Sequence, residues 1–292
     1  MTGLLKHRPF FHPVMKNLYR YGLVAGIVDT QDGLKTVIDP CDGFVSVKVL
    51  NRKQFQRREF DNTIEIYNRC SGTKPAAIFL EIGAHIGTHT LYAANSGLFS
   101  KVISFEPTPR SYNILKLNIA VNGFEEMISA HNICISDSWG EVQMVDDLTN
   151  TGGNRIVQTG QPVTQRHHGT LFTAKAVHGS EYLEQLAIAP ADIGLLWIDA
   201  EGHEPNVIAG MKRIISAQLP VICMEFTPDR YEHNRMEEMI GFLDGTYDAV
   251  HNAKNGMPID GGARQLLSGN SEKVTDIVFS SSSKPDSVNN PA

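Results

Sequence analysis

Apolar residues in this chain cluster in short runs whose spacing switches between two periods. The runs at 77–80, 102–105, 195–198 and 221–224 are nearly continuous and bounded by Gly, Pro or polar residues. That is the pattern of strands covered on both faces. A more mixed run at 129–135 is read with them as a strand. Between them, 111–121, 180–186, 206–218 and 235–243 carry apolar positions at helical spacing; Val207, Ile208, Met211, Ile214 and Ile215 fall on one side. Strands alternating with helices predict parallel pairing through right-handed crossovers. The late runs at 247–250 and 274–279 have only a Gly/Pro/Asn-rich connection between them. They are predicted to pair antiparallel at the sheet edge.

Upstream, short β-like runs at 23–28, 35–38 and 44–50 are separated by Asp32-Gly33 and Asp42-Gly43, both hairpin-turn signals. A small β meander is expected there, followed by a helix over 55–67 with Phe55, Phe60, Ile64 and Tyr67 along one side. Residues 1–20 are basic and aromatic, a candidate arm for a partner subunit. The stretch 146–179 breaks the alternation: it is polar and contains Gly152-Gly153, Gly160, Pro162 and His167-His168. It reads as a long loop inserted after the third strand, over the carboxyl edge of the sheet. The chain therefore divides into an arm and meander (1–54), an α/β domain (55–280) carrying the inserted loop, and a polar tail (281–292) with the composition of disorder. The fold class expected is a doubly wound, mostly parallel seven-stranded sheet.

Composition narrows the class without choosing a chemistry. The chain has 292 residues, 41% hydrophobic and 20% charged, with a net charge of −6. The acidic balance argues against general nucleic-acid binding. Four scattered cysteines with no C-x-x-C pair are expected to be reduced thiols of a cytoplasmic protein rather than a zinc site or disulfide framework. No apolar run has the length of a membrane span, and Pro9 and Pro13 interrupt what would be a signal-peptide core.

The chemistry concentrates at strand ends. The first central strand runs into Glu81-Ile-Gly83-Ala-His85-Ile-Gly87, a strand-to-helix turn. Glycines there permit positive φ and close approach of a ligand to the backbone. The helix N-terminus that follows presents free N–H groups. His85 holds the middle position of what a dinucleotide binder fills with Gly; His is among the residues enriched at positive φ. In an open parallel sheet, ligands bind beyond the carboxyl ends of the strands. Glu81, Glu106, Asp137, Asp199 and Glu225 each end or follow a strand there and are expected to ring one crevice. A carboxylate at Glu106 can accept both hydroxyls of a ribose, which suits NAD and S-adenosylmethionine alike. Glu81 discriminates between them. It would repel a pyrophosphate and suits a cofactor with an amino group and a sulfonium.

In order, the segments EIGAHIGTHTLYAA, SFEPTP, NIAVNG, ISDSWGEV, WIDAEGHEPNVIAG and MEFTPD resemble the FkbM-type S-adenosylmethionine-dependent methyltransferases over roughly residues 55–279. The resemblance implies a class I, Rossmann-like methyltransferase fold. It implies that Glu81, Gly83, His85 and Gly87 line the methionine end of the cofactor. Glu106 takes the ribose, and Cys134, Ile135 and Ser136 lie near the adenine. The segment from Asp199 to Glu204 sits at the methyl-transfer end, and a sugar or glycosylated metabolite is the implied acceptor. The chain departs from the family pattern at His85 (usually Asn), at Trp197 (commonly Lys), and at Val177-His178-Gly179-Ser180, where T-L-D is typical. These departures bear on the acceptor more than on the cofactor.

Methyl transfer from a sulfonium is an in-line displacement, so the protein must mainly align donor and acceptor. A hydroxyl acceptor must also lose a proton to a base or at a metal. Asp199, His203 and Glu201 are the candidate catalytic residues, with Asp199 as base or metal ligand and His203 as the alternative base. Asp199 and Glu225 are candidate ligands for a divalent cation such as Mg2+. The same segment also reads as a helix start, with Pro205 at the first helical position. That accounts for Glu204 and leaves Asp199 unexplained. Two other readings remain open: a nicotinamide-dependent oxidoreductase, which predicts Gly at His85 and no acid at Glu81, and a catalytically silent cofactor-binding protein whose N-terminal region serves a partner. A homodimer through the arm and meander is a further expectation.

Overall fold

The computed structural model describes residues 26–39, 42–71, 77–147, 150–157, 169–268 and 275–282. A hairpin of β1 (Ile27–Asp29) and β2 (Lys35–Val37) leads into α1 (Val45–Arg52) and α2 (Arg57–Ser71). Then come β3 (Ala77–Ile82), α3 (Thr88–Asn95), β4 (Phe99–Phe105), α4 (Pro109–Val121) and β5 (Ile128–His131). Strands β6 (Cys134–Ser136), β7 (Gly140–Asp147), β8 (Arg155–Ile156) and β9 (Gly169–His178) follow. The chain continues through α5 (Gly179–Gln185), β10 (Ile193–Ile198), α6 (Glu204–Gln218), β11 (Val221–Phe226), α7 (His233–Thr246), β12 (Ala249–Asn252), α8 (Gln265–Ser268) and β13 (Thr275–Ser280).

Seven strands form one mixed sheet in the order β12-β13-β11-β10-β3-β4-β5. The pairs from β11 through β10, β3 and β4 to β5 are parallel, while β13 runs antiparallel to both neighbours. The late antiparallel pair is thus present, with β12 at the edge and β13 inserted inside it. Every residue of β3 is buried, which explains its unbroken apolar sequence. One face packs Ile78, Leu80, Ile82 and Ile198 against Val207, Ile208, Met211 and Ile215 of α6. The other packs Phe79, Trp197 and Cys223 against Phe60 and Tyr67 of α2 and Leu91 and Tyr92 of α3. No helix among the described residues is long and apolar enough to cross a membrane.

Four expectations are corrected. Residues 44–50 are helical, not a third meander strand. The V-S-V-K-V alternation has period two, but Asp42 accepts the amides of Phe44 and Ser46 at 3.1 and 2.6 Å and holds the first helical turn. Val45 and Val49 then share the buried side. The hairpin docks on α4, where Asn122 exchanges hydrogen bonds with the backbone of Lys35. Val28, Ile38, Val45 and Val49 share an apolar cluster with Ile86 and Ile114.

The predicted third strand splits in two. Its first half, β5, ends the large sheet, and β6 joins a second sheet ordered β6-β9-β7-β8. The segment 146–179 is not a loop throughout: β7 and β9 pair from Gly140↔Ala176 to Asp147↔Gly169. In β9 only Ala174, Ala176 and Val177 are buried, with exposed Lys175 among them, so no apolar run marked it. The predicted tail also starts too early, since Ser282 donates its amide and hydroxyl to Asp248. The basic aromatic arm, His167-His168 and the chain beyond Ser282 lie outside the described residues.

Candidate functional site

The turn after β3 is built by close backbone approach. Gly83 and Ala84 donate to Phe105 O at 2.9 and 3.0 Å, and Asp199 N–H donates to Ile82 O at 2.9 Å. Three strand ends are thereby tied together. A Cβ on Gly83, whose φ is +88°, would lie 1.7 Å from the carbonyl oxygen of Asp199, so only Gly fits. Gly87, also at φ +88°, starts α3 against Leu115. His85 adopts φ +50°, the left-handed conformation that the sequence allowed. Its ring Nε2 lies 2.8 Å from Thr151 Oγ1, which links the turn to the inserted segment.

Beside this turn is a cavity of about 370 Å³. It is lined by Gly83, His85, Glu106, Cys134 and Ile135. Glu106 accepts the backbone N–H of His85 at 2.8 Å and of Thr108 at 2.7 Å. Burial pushes its carboxyl up to about 7, against the opposing pull of those amides. Thr151, Gly152 and Asn154 of the inserted segment line the same space. Asp199, Glu201, His203 and Glu225 line it as well, with Phe44, Phe55, Gln56, His89 and Arg230.

Three predicted residues do not line the cavity. Glu81 is only 1% exposed and faces inward beneath the turn. It accepts the Thr90 hydroxyl and lies 3.4 Å from Nδ1 of His89. Gly87 shapes the helix start. Ser136 pairs its hydroxyl with Nε2 of His203 at 3.0 Å. The expected ring of five acids is also incomplete, because Asp137 follows β6 in the second sheet and pairs with Arg235 at 2.9 Å.

Three of the lining acids lie close together. Asp199, Glu201 and Glu225 bring one oxygen each within 4.8 Å of one another. Burial and then the neighbouring Glu225 hold Asp199 well above the ordinary carboxylate range. Burial, reinforced by Glu201, pushes Glu225 up to about 8. Hard oxygen donors at this spacing suit a divalent cation. Arg230 competes for them: it pairs with Glu201 and lies 3.7 Å from Glu225. Glu204 stands apart and is fully buried. It accepts the amides of Ala200 and Gly202 at 2.7 and 2.9 Å, the helix-start role. His203 is driven down to about 4 by burial and is therefore neutral near pH 7.

The family model for the methyltransferase FkbM domain matches residues 81–253, more than half of the chain. The chain belongs to the methyltransferase FkbM domain family. No curated protein matches it. Among solved structures, an FkbM methyltransferase from Methylobacillus flagellatus KT is 15% identical, with a TM-score of 0.43; the alignment covers 80% of this chain and 52% of that one. This chain thus spans about half the length of that relative. Precorrin-6y C5,15-methyltransferase from Geobacter metallireducens is 11% identical at TM-score 0.42, covering 84% and 99%. Pyrococcus horikoshii TYW2 in complex with MeSAdo is 13% identical at 0.41, covering 93% and 82%. At these scores the likenesses carry no argument about activity. Membership of a methyltransferase family leaves the nicotinamide reading without support.

The sequence reading of this FkbM domain missed Gln56, His89 and Arg230. His89 sits two residues past the glycine turn, and Arg230 four residues past the end of β11, at positions that no periodicity marks. Gln56 is reached only through the fold, at the start of α2.

Proposed function

We propose that this domain transfers a methyl group from S-adenosylmethionine to a hydroxyl of a small acceptor, with a sugar or glycosylated metabolite as the acceptor class. The observation that carries this reading is that one cavity is lined by Glu106, by the glycine turn and by Asp199. When bound, S-adenosylmethionine supplies an electrophilic methyl on a sulfonium. Glu106, clasped by two backbone amides, keeps acceptor capacity for ribose hydroxyls. Cys134 and Ile135 offer an apolar wall to the adenine. Asp199 takes the proton of the acceptor hydroxyl; its raised pKa makes it a stronger base than an ordinary carboxylate. His203, with its depressed pKa and its contact to Ser136, is a poor match for that role. Arg230 offsets the negative charge of the acid cluster, and no step requires a metal.

Calorimetric titration of S-adenosylmethionine into the protein and into Glu106→Ala tests the reading. Binding to the wild type that is lost in the variant supports it. Absence of binding to either protein overturns it.

A further inference from the structure

The described residues contain few buried side-chain polar atoms without a hydrogen-bond partner, and three of them belong to side chains that line the cavity. These are Gln56 Oε1, His89 Nε2 and Glu225 Oε2. Buried polar atoms without partners cost free energy, so a group of them beside an open space marks where a ligand supplies the partners.

Asp276 shows that the three share one place. Glu225 and Asp276 are cross-strand partners on β11 and β13. Gln56 Nε2 donates to Asp276 Oδ2 at 3.0 Å, which leaves the amide oxygen of Gln56 as the free end. His89 acts electrostatically on the same carboxyl.

The side chain of His89 is 6% exposed, and Nδ1 lies 3.4 Å from the Glu81 carboxyl, which leaves Nε2 as the ring atom without a partner. Trp197 packs against the imidazole at 4.2 Å between ring centroids, tilted by 30°. Glu81 is itself anchored by Thr90, whose hydroxyl lies 2.8 Å from Ser104 Oγ. The buried acid of the glycine turn thus acts through His89 and does not touch the cavity.

We infer that Gln56, His89 and Glu225 form the subsite that binds the methyl acceptor, and that this subsite takes a neutral group bearing several hydroxyls. This rests on the methyl-transfer reading above. Gln56 Oε1, His89 Nε2 and Glu225 Oε2, the last 3.7 Å from Arg230, lack hydrogen-bond partners, and a hydroxyl, which both donates and accepts, can serve all three. A cation would have to displace Arg230 from Glu201 and Glu225, whereas hydroxyls do not compete with it. Phe44 and Phe55 line the same cavity with their rings edge-on at 6.3 Å, offering apolar surface to the C–H faces of a ring-shaped polyol. Glu81 is a positioning residue in this scheme.

The test titrates methyl hexosides, inositols, phenol and magnesium chloride separately into the protein, with and without S-adenosylhomocysteine. Gln56→Leu and His89→Phe are compared with wild type. The expected result is binding of at least one polyhydroxyl probe, weakened by about tenfold in each variant, with S-adenosylmethionine affinity within about twofold of wild type. Gln56 is only half-buried, so Gln56→Leu tests the inference even if His89→Phe fails to fold. The inference is overturned if no polyhydroxyl probe binds, if the variants bind probes as wild type does, or if magnesium binds and excludes them. Each of these results leaves S-adenosylmethionine binding intact, whereas failure of the methyl-transfer reading abolishes it.

Discussion

The backbone N–H of His85 donates to Glu106 at 2.8 Å, tying the left-handed residue of the glycine turn to the end of β4. The same carboxyl is raised to about 7 by burial. A ribose hydroxyl is accepted best by the ionised form, so S-adenosylmethionine affinity is expected to increase as pH rises from 6 to 8. Folding stability moves the other way. Below the unfolded value of about 4.5 the carboxyl is protonated in both states and contributes nothing. Between that pH and about 7 only the unfolded chain ionises, so the folded state loses stability as pH rises. Glu204, also raised to about 7, adds to the same trend. Glu106→Gln should flatten the pH dependence of affinity and reduce the slope of stability with pH. Calorimetry and denaturant melts at pH 5, 6, 7 and 8 read both effects.

Gly83→Ala is expected to be the most damaging single-methyl change in the turn. The added Cβ would meet a backbone carbonyl, which cannot rotate away as a side chain can. The φ of +88° adds about 1–3 kcal/mol of strain. Little soluble protein, or a sharply lower Tm, is the expected outcome. An unchanged Tm by differential scanning calorimetry would show that β3 and β10 are not held together in this way.

The large sheet was legible in the sequence because its strands are buried on both faces and so spell continuous apolar runs. The second sheet was not, because β7 and β9 bury only a few residues each and their exposed positions carry residues such as Glu141 and Lys175. The α1 segment misled for a related reason: Val45-Ser46-Val47 alternates like a strand, and only the Asp42 contacts decide for helix. At the site, Glu106, Asp199 and Glu225 were readable as strand-end acids. Glu81 was readable as an acid of the turn but not as one facing His89, since the direction of a side chain at the end of a buried strand depends on the register with Trp197. Gln56 and Arg230 reach the cavity only through tertiary packing.

Asp199 and His203 both line the cavity, and their opposite pKa shifts separate them. Asp199→Asn removes the proton acceptor and is expected to lower the rate of methyl transfer by about 10²–10⁴, with S-adenosylmethionine affinity within about twofold of wild type. His203→Gln, which can keep a hydrogen bond to Ser136, should lower the rate by less than about tenfold. S-adenosylhomocysteine release with the acceptor found by screening measures both. A larger loss in His203→Gln than in Asp199→Asn would reverse the assignment.

Arg230 supplies the positive charge facing Glu201 and Glu225, so its removal should make the acid cluster a better cation site. Arg230→Ala is expected to gain Tm on addition of magnesium, while the wild type stays within about 1 °C. A comparable gain in the wild type would mean that the cation and Arg230 coexist.

Glu204 holds the loop that carries Asp199 and Glu201. Its carboxylate receives the amides of Ala200 and Gly202, on either side of Glu201, which is itself held at φ +51°. A left-handed conformation at a non-Gly residue persists only where its surroundings enforce it. Glu204→Ala leaves two amides without their acceptor and opens space in a fully buried position. The expected cost is about 2–4 kcal/mol, read as a Tm lower by roughly 5–10 °C. Glu204→Gln retains one carbonyl acceptor and should recover about half of that loss. Because the loop also aims Asp199, Glu204→Ala is expected to lower the transfer rate even at temperatures where it stays folded. If the Ala variant kept both its Tm and its rate, Glu204 would not be what fixes the loop.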